Sequence, residues 1–125
     1  MAHMTKLDIL IIEDDENIAK AQALILQDDY NVHIASDGEE GLMKAKKLKP
    51  GVVLLDLMLP KRSGYDVCFH LRQDKQLAGT KVVMVTAKNQ PIDKDKGLFI
   101  GADLYLTKPF LPEDLLGAID TVLKK

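Results

Sequence analysis

The chain has 125 residues, of which 46% are hydrophobic and 29% are charged. This length suits one compact domain with a sizeable core and is too short for two. With 17 basic and 19 acidic side chains the formal net charge is −2, which gives no general attraction to nucleic acid or to an anionic membrane. The longest apolar runs fall far short of a membrane span.

The single cysteine indicates the cellular location, and the first three residues indicate where the domain begins. Cys68 has no second cysteine to pair with, and the further ligands of a zinc site are missing, so a reducing, cytoplasmic location fits best. Met1-Ala2-His3 has the character of an expression scar before a natural start at Met4. We therefore expect one domain over residues 4–125.

Short apolar runs alternate with longer amphipathic stretches along the chain. The predicted strands are Leu7–Ile12, Val32–Ala35, Val52–Leu55, Val82–Val85 and Leu104–Leu106. Helical spacing marks Ile18–Ile25, Leu42–Leu48, Val67–Leu71, Pro91–Ile100 and Leu115–Leu123. The fourth helix has the least regular pattern, because charged residues and Gly97 interrupt it.

Capping residues and prolines support these helix boundaries. Ser36 followed by Glu39 predicts a capping box at the start of the second helix, and Pro50-Gly51 predicts its end. Pro112 suits the first turn of the last helix. Five strands alternating with five helices predict parallel strands joined by crossover helices, because tight hairpins cannot connect parallel neighbours. The predicted fold class is therefore α/β, a doubly wound sheet covered on both faces.

Acidic residues follow two of the predicted strands at their carboxyl ends, where open parallel sheets bind ligands. Glu13-Asp14-Asp15-Glu16 follows the first strand, and Asp56 follows the third. If these two strands are neighbours, Glu13, Asp14 and Asp56 converge on one small volume. Asp15 and Glu16 are explained by the helix start, where acids favour the positive end of the helix dipole, so we assign them no chemistry.

Clustered carboxylates at this edge of the sheet would repel one another, and Lys108, after the fifth strand, supplies one compensating charge. A divalent cation would bring the cluster close to neutrality, and carboxylate oxygens suit Mg²⁺. Such a site can receive a phosphoryl group, held by the metal and the lysine while one carboxylate attacks phosphorus. Asp56 is the candidate nucleophile because it stands alone at its strand end, and Glu13 and Asp14 are the candidate metal ligands.

From about Leu7 to Leu123 the chain resembles the receiver domain of two-component response regulators, and among these the chemotaxis regulators. The resemblance is carried by several short motifs that occur in the same order. The matching pieces are Ile11–Asp14, Leu54–Pro60, Ser63-Gly64, Val85–Ala87, Gly101–Asp103 and Lys108–Phe110. The resemblance implies a flavodoxin-like (βα)5 fold with a five-stranded parallel sheet of order 2-1-3-4-5. It also implies a phosphorelay signalling module and not an enzyme.

The resemblance assigns roles at the metal and phosphoryl site. Asp56 would be the phosphoacceptor and also a Mg²⁺ ligand. Glu13 and Asp14 would bind the ion too, with Asp14 the direct ligand, and the backbone carbonyl of Met58 would complete the protein's ligands. Lys108 would pair with the phosphoryl group.

A second set of implied roles concerns the response to phosphorylation. The Thr86 hydroxyl would bond the phosphoryl group after transfer, Tyr105 matches the aromatic switch position, and the Lys108–Pro109 peptide would be cis. The surface that switches would comprise the fourth helix, the fifth strand and the fifth helix. Family members vary at the positions of Met58 and Lys88, so the lifetime of the phosphoryl group is left open.

Partners follow from the same resemblance. The phosphoryl donor would be a phosphohistidine on a sensor histidine kinase or phosphotransfer protein, and the switched surface would bind an output domain, a target protein or a second copy. We expect no direct nucleic-acid binding and no membrane association. His3, His33 and His70 occupy no motif position, and we interpret them as structural or incidental.

Three other interpretations stay open. A pseudo-receiver would keep the fold and signal without phosphate. An aspartate-nucleophile phosphohydrolase would carry its nucleophile after the first strand with a second aspartate two residues on, whereas Asp14 is followed there by Glu16. A flavodoxin-like nucleotide carrier would cradle phosphate with backbone amides of the first loop, and the acidic segment Glu13–Glu16 would repel that phosphate.

Overall fold

The computed structural model describes residues 6–87 and 101–124, and every structural statement below refers to these ranges. The predicted fourth helix at Pro91–Ile100, Lys88 and the N-terminal Met1-Ala2-His3 lie outside them. The strands are β1 (Asp8–Ile12), β2 (Asn31–Ala35), β3 (Val52–Asp56), β4 (Lys81–Ala87) and β5 (Leu104–Lys108). The helices are α1 (Glu16–Leu26), α2 (Gly38–Leu48), α3 (Gly64–Gln73) and the C-terminal helix (Pro112–Leu123), with a short 3₁₀ turn at Lys75–Leu77.

The five strands form one parallel sheet of order β2-β1-β3-β4-β5. This confirms the predicted fold class and strand order. In the register, Ile12 lies opposite both Ala35 and Leu55, and Ala87 lies opposite Lys108. The residues that follow β1 and end β3, β4 and β5 therefore meet at one edge of the sheet.

Both faces of the sheet are buried at β1 and β3, the strands that lead to the acidic residues. Leu10 and Ile12 of β1 belong to a core cluster under α2 and α3, and Ile9 and Ile11 belong to a second cluster under α1 and the C-terminal helix. All five residues of β3 are buried. Strands that are covered on both faces have continuous apolar sequences, and this is the pattern from which these strands were predicted.

The start of α2 differs from the prediction by one residue. Its N-cap is Asp37, whose carboxylate accepts a hydrogen bond from the Glu40 backbone N–H at 2.8 Å. The Glu40 carboxylate in turn accepts from the Ser36 N–H at 2.8 Å. The Ser36–Glu39 capping box is therefore wrong: a carboxylate accepts a stronger hydrogen bond than a hydroxyl, and Glu40 lies three residues beyond Asp37.

Two other predicted boundaries are confirmed. Helix α2 ends at Leu48, followed by Lys49 in the left-handed conformation with φ 48° and then by Pro50, which cannot continue a helix. Pro112 occupies the first turn of the C-terminal helix. No helix in the described ranges is long and apolar enough to cross a membrane.

Candidate functional site

The structure brings Glu13, Asp14 and Asp56 together at the carboxyl edge of the sheet. One carboxylate oxygen from each lies within 4.8 Å of the others. Glu13 is 3% exposed and Asp56 is 9% exposed, whereas Asp14 is open to solvent. The arrangement offers oxygen ligands from a buried floor and one exposed side, which is the donor set that a hard divalent cation takes.

Asp56 is held by tight packing around the end of β3. Its Oδ1 accepts a hydrogen bond from the Met58 backbone N–H at 3.3 Å, and the Leu57 N–H continues the ladder to the Val85 carbonyl at 2.9 Å. A Cβ on Gly64 would lie 2.6 Å from the Asp56 carbonyl oxygen, so only glycine allows α3 to begin this close to the site. The backbone of Asp56 and Leu57 is therefore fixed.

Lys108 joins the cluster from the end of β5. Its Nζ lies 2.7 Å from Glu13 Oε1 and 3.6 Å from Asp56 Oδ2. Partial burial on its own would lower the pKa of Lys108, but the hydrogen bond to Glu13 and the charges of Asp56 and Glu13 outweigh it and raise the pKa. Lys108 is therefore a full positive charge at neutral pH. The Lys108–Pro109 peptide is cis, as the resemblance implied.

The buried Glu13 has partners at both carboxylate oxygens. Oε1 accepts from Lys108, and Oε2 accepts from the Asp15 backbone N–H at 3.2 Å. A buried carboxylate needs such partners because desolvation penalises its charged form. The remaining charges of Asp14 and Asp56 give the cluster a net charge of about −2 once Lys108 is counted.

Asp15 and Glu16 have structural roles, in agreement with their assignment to the helix start. Asp15 caps α1, with Oδ1 accepting from the backbone N–H groups of Asn17 at 2.9 Å and Ile18 at 3.1 Å. Glu16 pairs with Lys20 one turn later at 2.9 Å. Neither enters the acidic cluster.

The pKa of Asp14 reflects its position in the acidic cluster. Partial desolvation and then the nearby Glu13 and Asp15 carboxylates raise the pKa of Asp14, although one backbone hydrogen bond lowers it. The fold therefore disfavours the charged form of this carboxylate. A bound cation would reverse that preference.

We expect Asp14→Asn to stabilise the metal-free protein, with a thermal unfolding midpoint about 2–4 °C higher in EDTA at pH 7. The gain should shrink as the pH falls through the raised pKa of Asp14 in the folded chain and vanish below the ordinary pKa of an aspartate, where the carboxyl is neutral in both the folded and the unfolded chain. Differential scanning calorimetry at several pH values measures this. Asp28→Asn, which removes an exposed charge elsewhere, should change the midpoint by less than about 1 °C. A lower midpoint in Asp14→Asn would contradict this account of the cluster.

Thr86 and Tyr105 lie on the two neighbouring strands at this side of the sheet. Thr86 is fully buried, and its hydroxyl has no hydrogen-bond partner within residues 6–87 and 101–124. Tyr105 lies opposite Met84 in the β4–β5 register and packs, half-buried, against the core cluster under α2 and α3. Thr86 follows Val85, which lies opposite Asp56, so the hydroxyl belongs to the same edge as the acidic cluster.

Met58, His33 and His70 are the other residues that the sequence analysis named. The Met58 side chain is 66% exposed, and the role of its carbonyl as a metal ligand stays a prediction. His33 Nε2 lies 3.0 Å from Asp8 Oδ1 across β1 and β2, and His70 Nδ1 lies 2.9 Å from the Asp66 carbonyl oxygen within α3. These contacts agree with structural roles for both histidines.

Comparison with known proteins identifies the family. The sequence model of the response regulator receiver domain family matches residues 9–120. The chain belongs to this family. Receiver domains of response regulators are signalling modules of two-component phosphorelays, so this receiver domain is a component of such a system.

Individual relatives agree with the family match. The receiver domain is 42% identical over 118 residues to the alkaline phosphatase synthesis transcriptional regulatory protein PhoP of Bacillus subtilis, covering 94% of this chain and 48% of that protein. It is 43% identical over 118 residues to the DNA-binding dual master transcriptional regulator RpaA of Synechocystis, covering 94% and 49%. The solved chemotaxis protein CheY4 of Vibrio cholerae matches with a TM-score of 0.89 at 33% identity, covering 94% of this chain and 99% of that one.

The receiver domain spans about half the length of the curated relatives it matches. One of them is named as a DNA-binding regulator. The expectations of no direct nucleic-acid binding and of one domain over residues 4–125 therefore stay predictions.

Proposed function

We propose that Asp56 accepts a phosphoryl group in a Mg²⁺-dependent reaction, from a phosphohistidine on a sensor histidine kinase or phosphotransfer protein. The observation that carries the proposal is the convergence of Glu13, Asp14 and Asp56 within 4.8 Å, with Lys108 bonded to the cluster. Two uncompensated negative charges and an all-oxygen donor set fit Mg²⁺. When bound, Mg²⁺ supplies positive charge that offsets the carboxylates and draws phosphoryl oxygens to the site.

Each side chain of the site then has a role in the transfer. A carboxylate oxygen of Asp56 attacks phosphorus, the new O–P bond forms, and the P–N bond of the donor breaks with its electron pair returning to the imidazole nitrogen. The Lys108 ammonium lies 3.6 Å from Asp56 Oδ2 and is placed to meet the phosphoryl oxygens. Glu13 and Asp14 would hold the cation, and the Met58 carbonyl would complete the protein's ligands.

Phosphorylation becomes a signal through Thr86 in this proposal. Its buried hydroxyl, which has no partner in the described ranges, would donate to a phosphoryl oxygen. A hydrogen bond to a charged group contributes about 1.5–3 kcal/mol, enough to shift a two-state equilibrium about ten- to a hundredfold. The Tyr105 ring would then occupy the space that Thr86 leaves. The surface that changes includes β5 and the C-terminal helix, where a target, an output domain or a second copy would bind.

The surroundings of Lys108 support a protein as the donor. An apolar recess of about 550 Å³ lies beside it, between α1 and the residues that follow β5. It is lined by Ile18, Ala21, Gln22, Ile25, Ala87, Lys108, Pro109 and Phe110. An apolar surface beside the lysine that contacts Asp56 gives a donor protein a place to bind while its phosphohistidine reaches Asp56.

Incubation of the unchanged chain with acetyl phosphate tests the proposal. We expect intact-mass spectrometry to show one added phosphoryl group with Mg²⁺ and none when EDTA removes the metal, because the bare cluster repels the donor. No uptake with Mg²⁺ would contradict the proposal and favour a pseudo-receiver. Sustained phosphate release from a generic phosphomonoester would instead indicate a phosphohydrolase.

A further inference from the structure

The loop at residues 57–63, which begins directly after Asp56 and connects β3 with α3, contains a strained turn. The Arg62 N–H donates to the Pro60 carbonyl at 2.8 Å, so Lys61 is the centre of a three-residue turn. Lys61 has φ 71°. A three-residue turn with positive φ at its centre is rare and strained for a residue with a side chain.

Such a turn persists only where its surroundings impose it. The two ends of the loop are already fixed: Leu57 continues the sheet ladder, and the Gly64 N–H donates to the Leu57 carbonyl at 2.7 Å. These bonds close the loop at its base. They leave its middle, at Lys61 and Arg62, to be held by other contacts.

Those contacts come from the Arg62 and Lys61 side chains. Arg62 Nε bonds Glu39 in the first turn of α2, and a terminal guanidinium nitrogen lies 3.1 Å from Asp66 Oδ2 in the first turn of α3. Lys61 Nζ lies 3.4 Å from the Oδ2 atom of Asp37, the N-cap of α2. The guanidinium thus ties the turn to two helices at once.

The stem of Arg62 also packs closely against α2. A Cβ built on Gly38, the first residue of that helix, would lie 3.0 Å from Arg62 Cβ and 3.6 Å from Arg62 Cδ. The side-chain part of Arg62 is 29% exposed. Packing plus two ion pairs makes this a more ordered contact than an isolated surface salt bridge.

We propose that Arg62 is a positioning residue for the phosphoryl-acceptor site: by fixing the strained turn at Lys61 between α2 and α3, it sets the backbone of Met58 beside Asp56. The Met58 N–H already bonds Asp56 Oδ1 at 3.3 Å, so a shift of this loop moves a partner of the nucleophile. The inference rests on the proposed function, because it concerns the metal affinity and reactivity of the same site.

Calorimetric titration with MgCl₂ tests the inference. We expect Arg62→Gln to weaken Mg²⁺ binding about tenfold, the lower end of what changes outside the first ligand shell cost. Arg62→Lys should lose less, since it keeps the charge but not the planar fork that reaches both helices. Circular dichroism verifies that each variant is folded, and Arg62→Lys serves as the readout if Arg62→Gln is not.

Replacing the strained residue provides a second readout that a merely structural role would not change. Glycine adopts positive φ without strain, so Lys61→Gly should make the turn independent of its clamp. The double variant with Lys61→Gly and Arg62→Gln should then bind Mg²⁺ within about twofold of Lys61→Gly alone. A full tenfold loss in the double variant would overturn the strain argument.

Arg72 offers a matched control at the opposite edge of the sheet. Its guanidinium bonds the Gly101 carbonyl, the Thr80 carbonyl and Asp103 Oδ2 at 2.9, 2.6 and 2.8 Å, ahead of β4 and β5. Arg72→Gln should lower stability and leave Mg²⁺ affinity unchanged. Unchanged affinity in Arg62→Gln, or an equal loss in Arg72→Gln, would overturn the inference. An unchanged chain that binds no Mg²⁺ would overturn the proposed function and this inference with it, before any variant is compared.

Discussion

Asp56→Asn is expected to take up no phosphoryl group from acetyl phosphate and Mg²⁺. The amide is nearly isosteric with the carboxylate, so the packing at the end of β3 is kept, but it has no anionic oxygen to attack phosphorus. The fold should also tolerate the change well, because one of three mutually repelling charges is removed from a site that is 9% exposed. Loss of uptake without loss of stability separates a chemical role from a structural one.

Intact-mass spectrometry of the treated variant, beside the unchanged chain, measures the effect. Asp28→Asn is the matched control, since Asp28 is an exposed aspartate after α1 and outside the cluster. It should be phosphorylated as the unchanged chain is. A phosphoryl group on Asp56→Asn would show that another side chain is the acceptor and would refute the assignment.

The sequence predicted the sheet well because its strands are buried on both faces. Continuous apolar runs such as Val52–Leu55 have one stable environment, the middle of a parallel sheet, and β3 occupies it. The ends of strands were predicted less well. Strand β4 runs over Lys81–Ala87 and β5 over Leu104–Lys108, longer than the predicted runs Val82–Val85 and Leu104–Leu106. Backbone hydrogen bonds continue a ladder whatever the side chains are, so polar residues such as Thr86 and Lys108 remain in the strands.

The location of the acidic cluster could be predicted because it follows from topology. Parallel neighbours place their carboxyl ends together, so residues as far apart in sequence as Glu13 and Lys108 meet. The pairing within the cluster could not be predicted. Lys108 lies closer to Glu13 than to Asp56, and that difference depends on side-chain positions that strand order does not specify.

The clamp at Arg62 had no signal in the sequence. Its partner Glu39 lies 23 residues away, and their contact depends on how α2 and α3 pack side by side. The positive φ at Lys61 was equally hidden, because glycine or asparagine is the usual mark of a left-handed residue and this loop has lysine there. Local propensity describes a residue's ordinary preferences, and a strained turn is a departure from them that tertiary contacts impose.

Lys108→Met is expected to destabilise the metal-free protein by about 2–3 kcal/mol, below the full cost of breaking a fully buried pair because Lys108 is partly exposed. The Glu13 side chain is 2% exposed and would lose its cationic partner while keeping the hydrogen bond from the Asp15 N–H. Phosphoryl uptake should fall about a hundredfold as well, the usual cost of removing one group that stabilises charge in a transition state. Urea unfolding in EDTA and intact-mass kinetics with Mg²⁺ measure the two effects separately.

The double variant with Glu13→Gln and Lys108→Met shows whether Lys108→Met loses stability because Glu13 is left as an unpaired buried charge or because the packing of Lys108 is lost. Once Glu13 is neutral, the loss of Lys108 leaves no buried anion, so most of the lost stability should return and the cycle of four proteins should show strong coupling. Mg²⁺ should stabilise Lys108→Met more than it stabilises the unchanged chain, because the cluster then has one more uncompensated negative charge. A coupling energy near zero would contradict the pairing of Lys108 with Glu13, whereas phosphoryl uptake that is unchanged in Lys108→Met alone would contradict a role of the lysine in the transfer.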